Sequence, residues 1–191
     1  MREQLVPLDN FAEDPATFGF WVRALTTEEL LDRLEAEECL DLAQPLTVLD
    51  FGSGSGAPTS VIARLMEESG GTVDAVEHAP NRAQKLIERE ILPLDRVFVE
   101  EGIAFLRSRP NTYDLITAFA FGPDTQGGFA SAFIRSAQQA LLPEGKILIT
   151  SDEETMRAVR MVCSGWRVDY EAISGISDLE GYITDVVIVN K

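Results

Sequence analysis

Short apolar runs recur along the chain at residues 46–51, 72–77, 96–100, 113–120 and 146–150, and most segments between them carry apolar residues at helical spacing. This alternation predicts an α/β domain with a parallel sheet. After the first run, Val61, Ile62, Leu65 and Met66 form one apolar helix face that stops at Gly70-Gly71, with Pro58 in the first turn, where its missing N–H costs nothing. Pro80 opens the next helix in the same way, with Ala83, Leu86, Ile87 and Ile91 inward. A further helix over 130–142 is expected to end at Pro143-Glu-Gly145, which turns into the fifth strand. Near the carboxyl end, 166–173 and 182–190 both read as extended, and the eight residues between them are too few for a comfortable crossover helix. Those two strands should pair antiparallel. At the amino end, Thr26 followed by Glu29 reads as a capping box that starts a helix through Leu30, Leu31, Leu34 and Leu40. The aromatic residues Phe11, Phe18, Phe20 and Trp21 precede it.

The first strand leads into the most telling segment, Val48-Leu-Asp-Phe-Gly-Ser-Gly-Ser-Gly-Ala-Pro-Thr59. A strand that ends in Asp50 and opens through Gly52, Gly54 and Gly56 into a helix is a place to lay a nucleoside-bearing cofactor. Glycine there permits positive φ and lets the backbone come close to a ligand.

Composition narrows the chemistry. The 191 residues are 45% hydrophobic, enough for one domain with a sizeable core. Sixteen Lys and Arg against 32 Asp and Glu leave a net charge of −16, so the average surface repels phosphate and anionic lipid; the balance argues against nucleic acid and membrane as partners. Cys39 and Cys163 lie in no paired motif, which argues against a disulfide or a metal site. His78 is the only histidine, leaving little room for a Ser-His-Asp or Cys-His device. No apolar stretch has signal-peptide or membrane-span character, and a soluble, cytoplasmic protein is expected.

Taken in order, five stations resemble a class I S-adenosylmethionine-dependent methyltransferase. They are Asp50-Phe-Gly-Ser-Gly-Ser-Gly56, Val73-Asp-Ala-Val-Glu-His78, Glu101-Gly-Ile-Ala-Phe-Leu106, Tyr113-Asp-Leu-Ile-Thr-Ala-Phe-Ala120, and Leu141-Leu-Pro-Glu-Gly-Lys-Ile-Leu-Ile149. The resemblance covers the chain from Leu46 to its carboxyl end. It implies a three-layer α/β/α sandwich whose seven-stranded, mostly parallel sheet has an antiparallel last strand, with residues 1–45 a helical or lid segment and 46–191 the cofactor-binding core. It implies S-adenosylmethionine as cofactor, with Asp50, Gly52, Ser53, Gly54 and Gly56 passing under its methionine part and Asp50 facing its amino group. Glu77 would accept from both ribose hydroxyls, because two carboxylate oxygens suit a vicinal diol. Glu101, standing where the family carries Asp, would meet the adenine amino group, with Gly102, Ile103, His78 and Ala118 around it.

Each role has a plainer alternative: Glu77 as a helix cap, Glu101 as a residue favoured by the helix dipole, Ile103 as core, His78 as surface and Asp114 as structural. The acceptor side follows the fourth strand, where Phe119 and Phe121 would wall the acceptor, Trp21 would close over it and Asp124 is the nearest candidate base. Their alternative roles are core packing and a helix cap. With no inserted substrate domain, a small molecule or a protein side chain is the expected acceptor. Other readings are a non-catalytic binding module of the same fold, a ribosomal RNA guanine methyltransferase, which the net charge opposes, and a nicotinamide-dinucleotide protein, which would also use an acid near Glu77 and whose fingerprint Gly52-x-Gly54-x-x-Ala57 fits.

Overall fold

A computed structural model describes residues 15–119, 121, 128–151, 153–164, 170–174 and 185–190. Its elements are α1 (Pro15–Ala36), β1 (Thr47–Phe51), α2 (Ala57–Ser69), β2 (Thr72–Val76), α3 (Pro80–Glu88), β3 (Val97–Phe98), α4 (Gly102–Arg107), β4 (Tyr113–Ala118), α5 (Gly128–Ala140), β5 (Leu141–Ser151), α6 (Glu153–Ser164), β6 (Tyr170–Ser174) and β7 (Asp185–Asn190). Seven strands form one sheet in the order β3-β2-β1-β4-β5-β7-β6. Every neighbouring pair from β3 to β5 is parallel, and β7 runs antiparallel to both β5 and β6. The expected architecture is present.

Alternation along the strands sorts side chains to two faces. Val48, Leu115, Leu148 and Ile188 meet Leu30, Leu31 and Leu34 of α1 and Val61, Ile62 and Leu65 of α2. Leu49, Ile116, Ile147 and Val187 meet Phe105 and Leu106 of α4, Phe133 and Ala137 of α5, and Met156 and Val159 of α6. Helices on both faces make the three layers, and strands covered on both sides read as near-continuous apolar runs. Each fully buried leucine contributes about 1.5–3 kcal/mol relative to exposure.

Three local expectations are corrected. Thr26 does not start a helix: α1 already runs from Pro15, and the hydroxyls of Thr26 and Thr27 donate to the carbonyls of Val22 and Arg23 at 2.9 and 2.8 Å. Back-bonding to the residue four positions earlier lets threonine sit inside a helix, so the capping pattern is a coincidence of spacing. The Pro143-Glu-Gly145 turn does not precede β5 but interrupts it. Leu141 already pairs with Tyr113, and the register then jumps to Leu115 against Lys146, with Glu144 at φ 67°. Cys39 lies just past α1 rather than in a helix, whereas Cys163 is in α6. Among the described residues no helix is long and apolar enough to cross a membrane.

β1 and β4 are sheet neighbours although β2 and β3 lie between them in the chain. The direction in which successive strands are added across the sheet reverses there, and in open α/β sheets ligands bind outside the carboxyl ends of the strands at such a point.

Candidate active site at the carboxyl edge of β1 and β2

Asp50 is the fourth residue of β1, sits opposite Thr117 of β4 and is 1% exposed. Its carboxylate accepts from Thr59 Oγ1 at 2.6 Å and from Thr117 Oγ1 at 3.0 Å. Burial pushes its pKa up to about 6, and the nearby Glu77 charge adds to the rise, while the two hydroxyls oppose it. Neither threonine was singled out from sequence. Their only signal is position: Thr117 lies level with Asp50 on the next strand, and Thr59 is in the first turn after the glycines.

The glycine turn is left-handed at all three glycines, with φ of 71°, 58° and 90° at Gly52, Gly54 and Gly56. The amides of Gly52 and Ser53 donate to the Val76 carbonyl at 2.8 and 3.2 Å, tying the turn to the end of β2. A side chain on Gly52 would project into open space and one on Gly54 would meet only the Gly52 carbonyl oxygen at 3.9 Å, whereas one on Gly56 would come within 2.6 Å of Ile91 Cδ1. Gly56 is therefore required by packing, and Gly52 and Gly54 leave a cradle. Ser53 Oγ, in a residue 5% exposed, has no hydrogen-bond partner among the described residues, which an ordered protein interior rarely tolerates.

Glu77 follows β2 and is 2% exposed. One carboxylate oxygen accepts from Gly54 N at 2.9 Å, and the other accepts from Ala79 N at 2.8 Å with His78 Nδ1 at 3.1 Å. It thus braces the glycine turn and the entry to α3 together. An ionised carboxylate has about four acceptor sites, so capacity remains for a ligand hydroxyl. The His78 side chain is 75% exposed.

Glu101 is the N-cap of α4, accepting from Ile103 N at 3.0 Å and Ala104 N at 2.7 Å. A cap satisfies amides that a helix start leaves unpaired. Gly102 lies flat against the Phe51 ring, where a Cβ would collide. Ile103 and Ala118 are both buried in the core on that face.

The acceptor-side residues are not brought together. Phe121 is 5% exposed and packs against Phe129 and Phe133, with ring centroids 5.4 and 4.8 Å away. Phe119 and Trp21 pack against the core on the opposite face. All three pack against the core, Phe121 on one face of the sheet and Phe119 and Trp21 on the other. Asp124 lies outside the described residues. Asp114 is structural, its carboxylate accepting from Thr47 N at 2.8 Å at the amino edge of the sheet.

Comparison with known proteins agrees with this geometry. The Protein-L-isoaspartate(D-aspartate) O-methyltransferase family matches residues 31–109, the span that holds the glycine turn, Glu77 and α4. A Ribosomal RNA small subunit methyltransferase G from Rhodopseudomonas palustris is 30% identical over 178 residues, covering 85% of this chain and 71% of its own length. Its namesake from Rhizorhabdus wittichii is 27% identical over 164 residues, covering 84% and 70%. Among solved structures, the O-methyltransferase from Bacillus cereus in complex with SAH superposes with a TM-score of 0.58 at 20% identity, covering 95% of this chain and 84% of that one. These sequence relatives act on ribosomal RNA by name. That overturns the expectation that a charge of −16 argues against nucleic acid: a mean charge does not describe the patch where a partner docks.

Proposed function

The chain belongs to the family of Ribosomal RNA small subunit methyltransferase G, and so to the class I S-adenosylmethionine-dependent methyltransferases, and from that membership we propose that it methylates a nucleotide of small-subunit ribosomal RNA. The observation that carries this reading is the likeness to those relatives over more than four-fifths of the chain. A local electrostatic feature supports it. Arg82 and Lys85 stand one turn apart on the exposed side of α3 and have no acidic partner among the described residues. In a chain with twice as many acids as bases, unpaired neighbouring cations favour a phosphate-bearing partner.

S-adenosylmethionine, when bound, supplies a methyl group already activated on a sulfonium, so no protein group need form a covalent intermediate. The residues present fit it. Gly52 and Gly54 would present bare backbone to the ligand, the Ser53 hydroxyl would gain an acceptor or donor, and the spare lone pairs of Glu77 would take ribose hydroxyls. Asp50, ionised above about pH 6, puts a negative charge behind the turn where a cationic amino group would lie. What the protein contributes is orientation and exclusion of water, since in-line displacement depends on holding donor and acceptor close and aligned.

The test is methyl transfer from cofactor labelled in the methyl group, offered small ribosomal subunits, naked small-subunit RNA, transfer RNA and a protein-only extract in parallel. Label in small-subunit RNA supports the reading. Label confined to protein or to small molecules overturns it.

A further inference from the structure

The exit of α3 holds the glycine turn from outside. Arg89, the residue after α3, donates from Nη1 to the Ser55 carbonyl at 2.9 Å. Ser55 sits between Gly54 and Gly56, both in the left-handed region. The same guanidinium lies over the Phe20 ring of α1, 4.1 Å from its centroid. Phe20 in turn meets Trp21 edge-to-face at 5.4 Å, and Trp21 packs against the core beneath α1 and α2. Two residues on, Ile91 fills the space beside Gly56. Between them Glu90 has φ 54°, a conformation that costs a non-glycine residue energy and so persists only where its surroundings impose it. The strained residue sends Arg89 and Ile91 to two adjacent points of one loop.

We propose that Arg89 is a positioning residue for the cofactor, fixing the glycine turn through the Ser55 carbonyl and itself fixed by the Phe20 face. A turn with three left-handed glycines has more backbone freedom to lose than any other segment of its length. The inner supports, from Val76 and Glu77, reach Gly52, Ser53 and Gly54. Ser55 lies beyond them, on the side that Arg89 covers. Without Arg89 the outer half of the turn samples orientations that cannot receive the donor, and affinity falls in proportion to the fraction lost. On this account α1 is a strut for the turn.

The experiment is calorimetric titration of S-adenosylhomocysteine into the full chain, paired with thermal melts. Arg89→Ala should raise Kd about tenfold, the combined loss of a charge-assisted hydrogen bond and a ring contact. Its melting temperature should stay within about 2 °C, as expected for a change at an exposed side chain. Phe20→Leu should raise Kd in the same direction, Phe20→Tyr should restore it by keeping the ring, and the Arg89→Ala/Phe20→Leu pair should be no worse than Arg89→Ala alone. Arg33→Ala on the outer face of α1 controls for net charge and should leave Kd unchanged. The proposal is overturned if Arg89→Ala binds within twofold of wild type, if Phe20→Tyr is as weak as Phe20→Leu, or if Arg33→Ala weakens binding as much.

Discussion

The two halves of the carboxyl edge, the one proposed to hold the methyl donor and the one past β4, are built differently. Around the ends of β1 and β2, polar groups are buried and converge: Asp50 takes two threonine hydroxyls, Glu77 takes the amides of Gly54 and Ala79, and three glycines adopt positive φ. Just past β4, the described residues turn inward, with Phe121 in one face of the core and Phe119 against the other. One half spends folding stability on a ligand, because buried charge and left-handed turns oppose folding. The other half, as far as it is described, serves packing.

The contrast makes opposite predictions for substitutions in the two halves. Phe121→Ala should cost the most stability, about 3–5 kcal/mol as for other buried aromatic truncations, while the protein that remains folded binds S-adenosylhomocysteine normally. Urea unfolding with calorimetry checks both, and a stable variant defective only toward RNA would return Phe121 to the acceptor wall. Asp50→Asn should go the other way. The raised pKa means that the folded state holds the proton more tightly than the unfolded chain, so wild-type stability falls as pH rises from about 4 to about 6 and stays low above that. The difference between 3.8 and about 6 corresponds to about 3 kcal/mol. Asn, which carries no charge, should therefore melt higher than Asp at pH 7, with the gap closing toward pH 4, yet bind cofactor more weakly. Equal melting at both pH values would remove the buried-charge argument. Gly54→Ala should cost about 1–2 kcal/mol in stability from its left-handed backbone and more in cofactor affinity, because the new methyl enters the cradle. Smallest of all, Asp124→Asn should change cofactor affinity by less than about 0.5 kcal/mol whatever it does to turnover; a larger loss would put Asp124 on the donor side.

The half proposed to hold the donor is also the one whose local structure was legible. Val48 and Leu49 are buried on opposite faces, so β1 reads as a plain apolar run, and Asp50 and the glycines follow it without a gap. A site contiguous in sequence can be read from sequence. Where meaning depended on distant partners, reading went astray. Thr26-x-x-Glu29 matched a helix start, but burial of Val22 and Ala24 in the preceding turns carries the helix further back. Glu101 was placed correctly at a helix start, but that its carboxylate takes two amides of that helix depends on a rotamer that sequence does not show. Arg89 gave no signal, because its partners are distant in sequence, Ser55 in the turn 34 residues away and Phe20 in α1 farther still. Net charge misled for a related reason: a sum over the chain carries no information about Arg82 and Lys85, which stand on one helix without an acidic partner among the described residues.

The claim that the β1–β2 edge is the donor site rests most directly on Glu77, whose carboxylate bonds both to the glycine turn and to the entry of α3. Calorimetric titration of S-adenosylhomocysteine into wild type and Glu77→Ala at pH 7.5 tests it. The account predicts micromolar binding to wild type and a loss of about 1–3 kcal/mol in the variant, from a charge-assisted contact and a loosened turn. Equal affinity in the two proteins, or no heat from wild type at millimolar ligand, would contradict it.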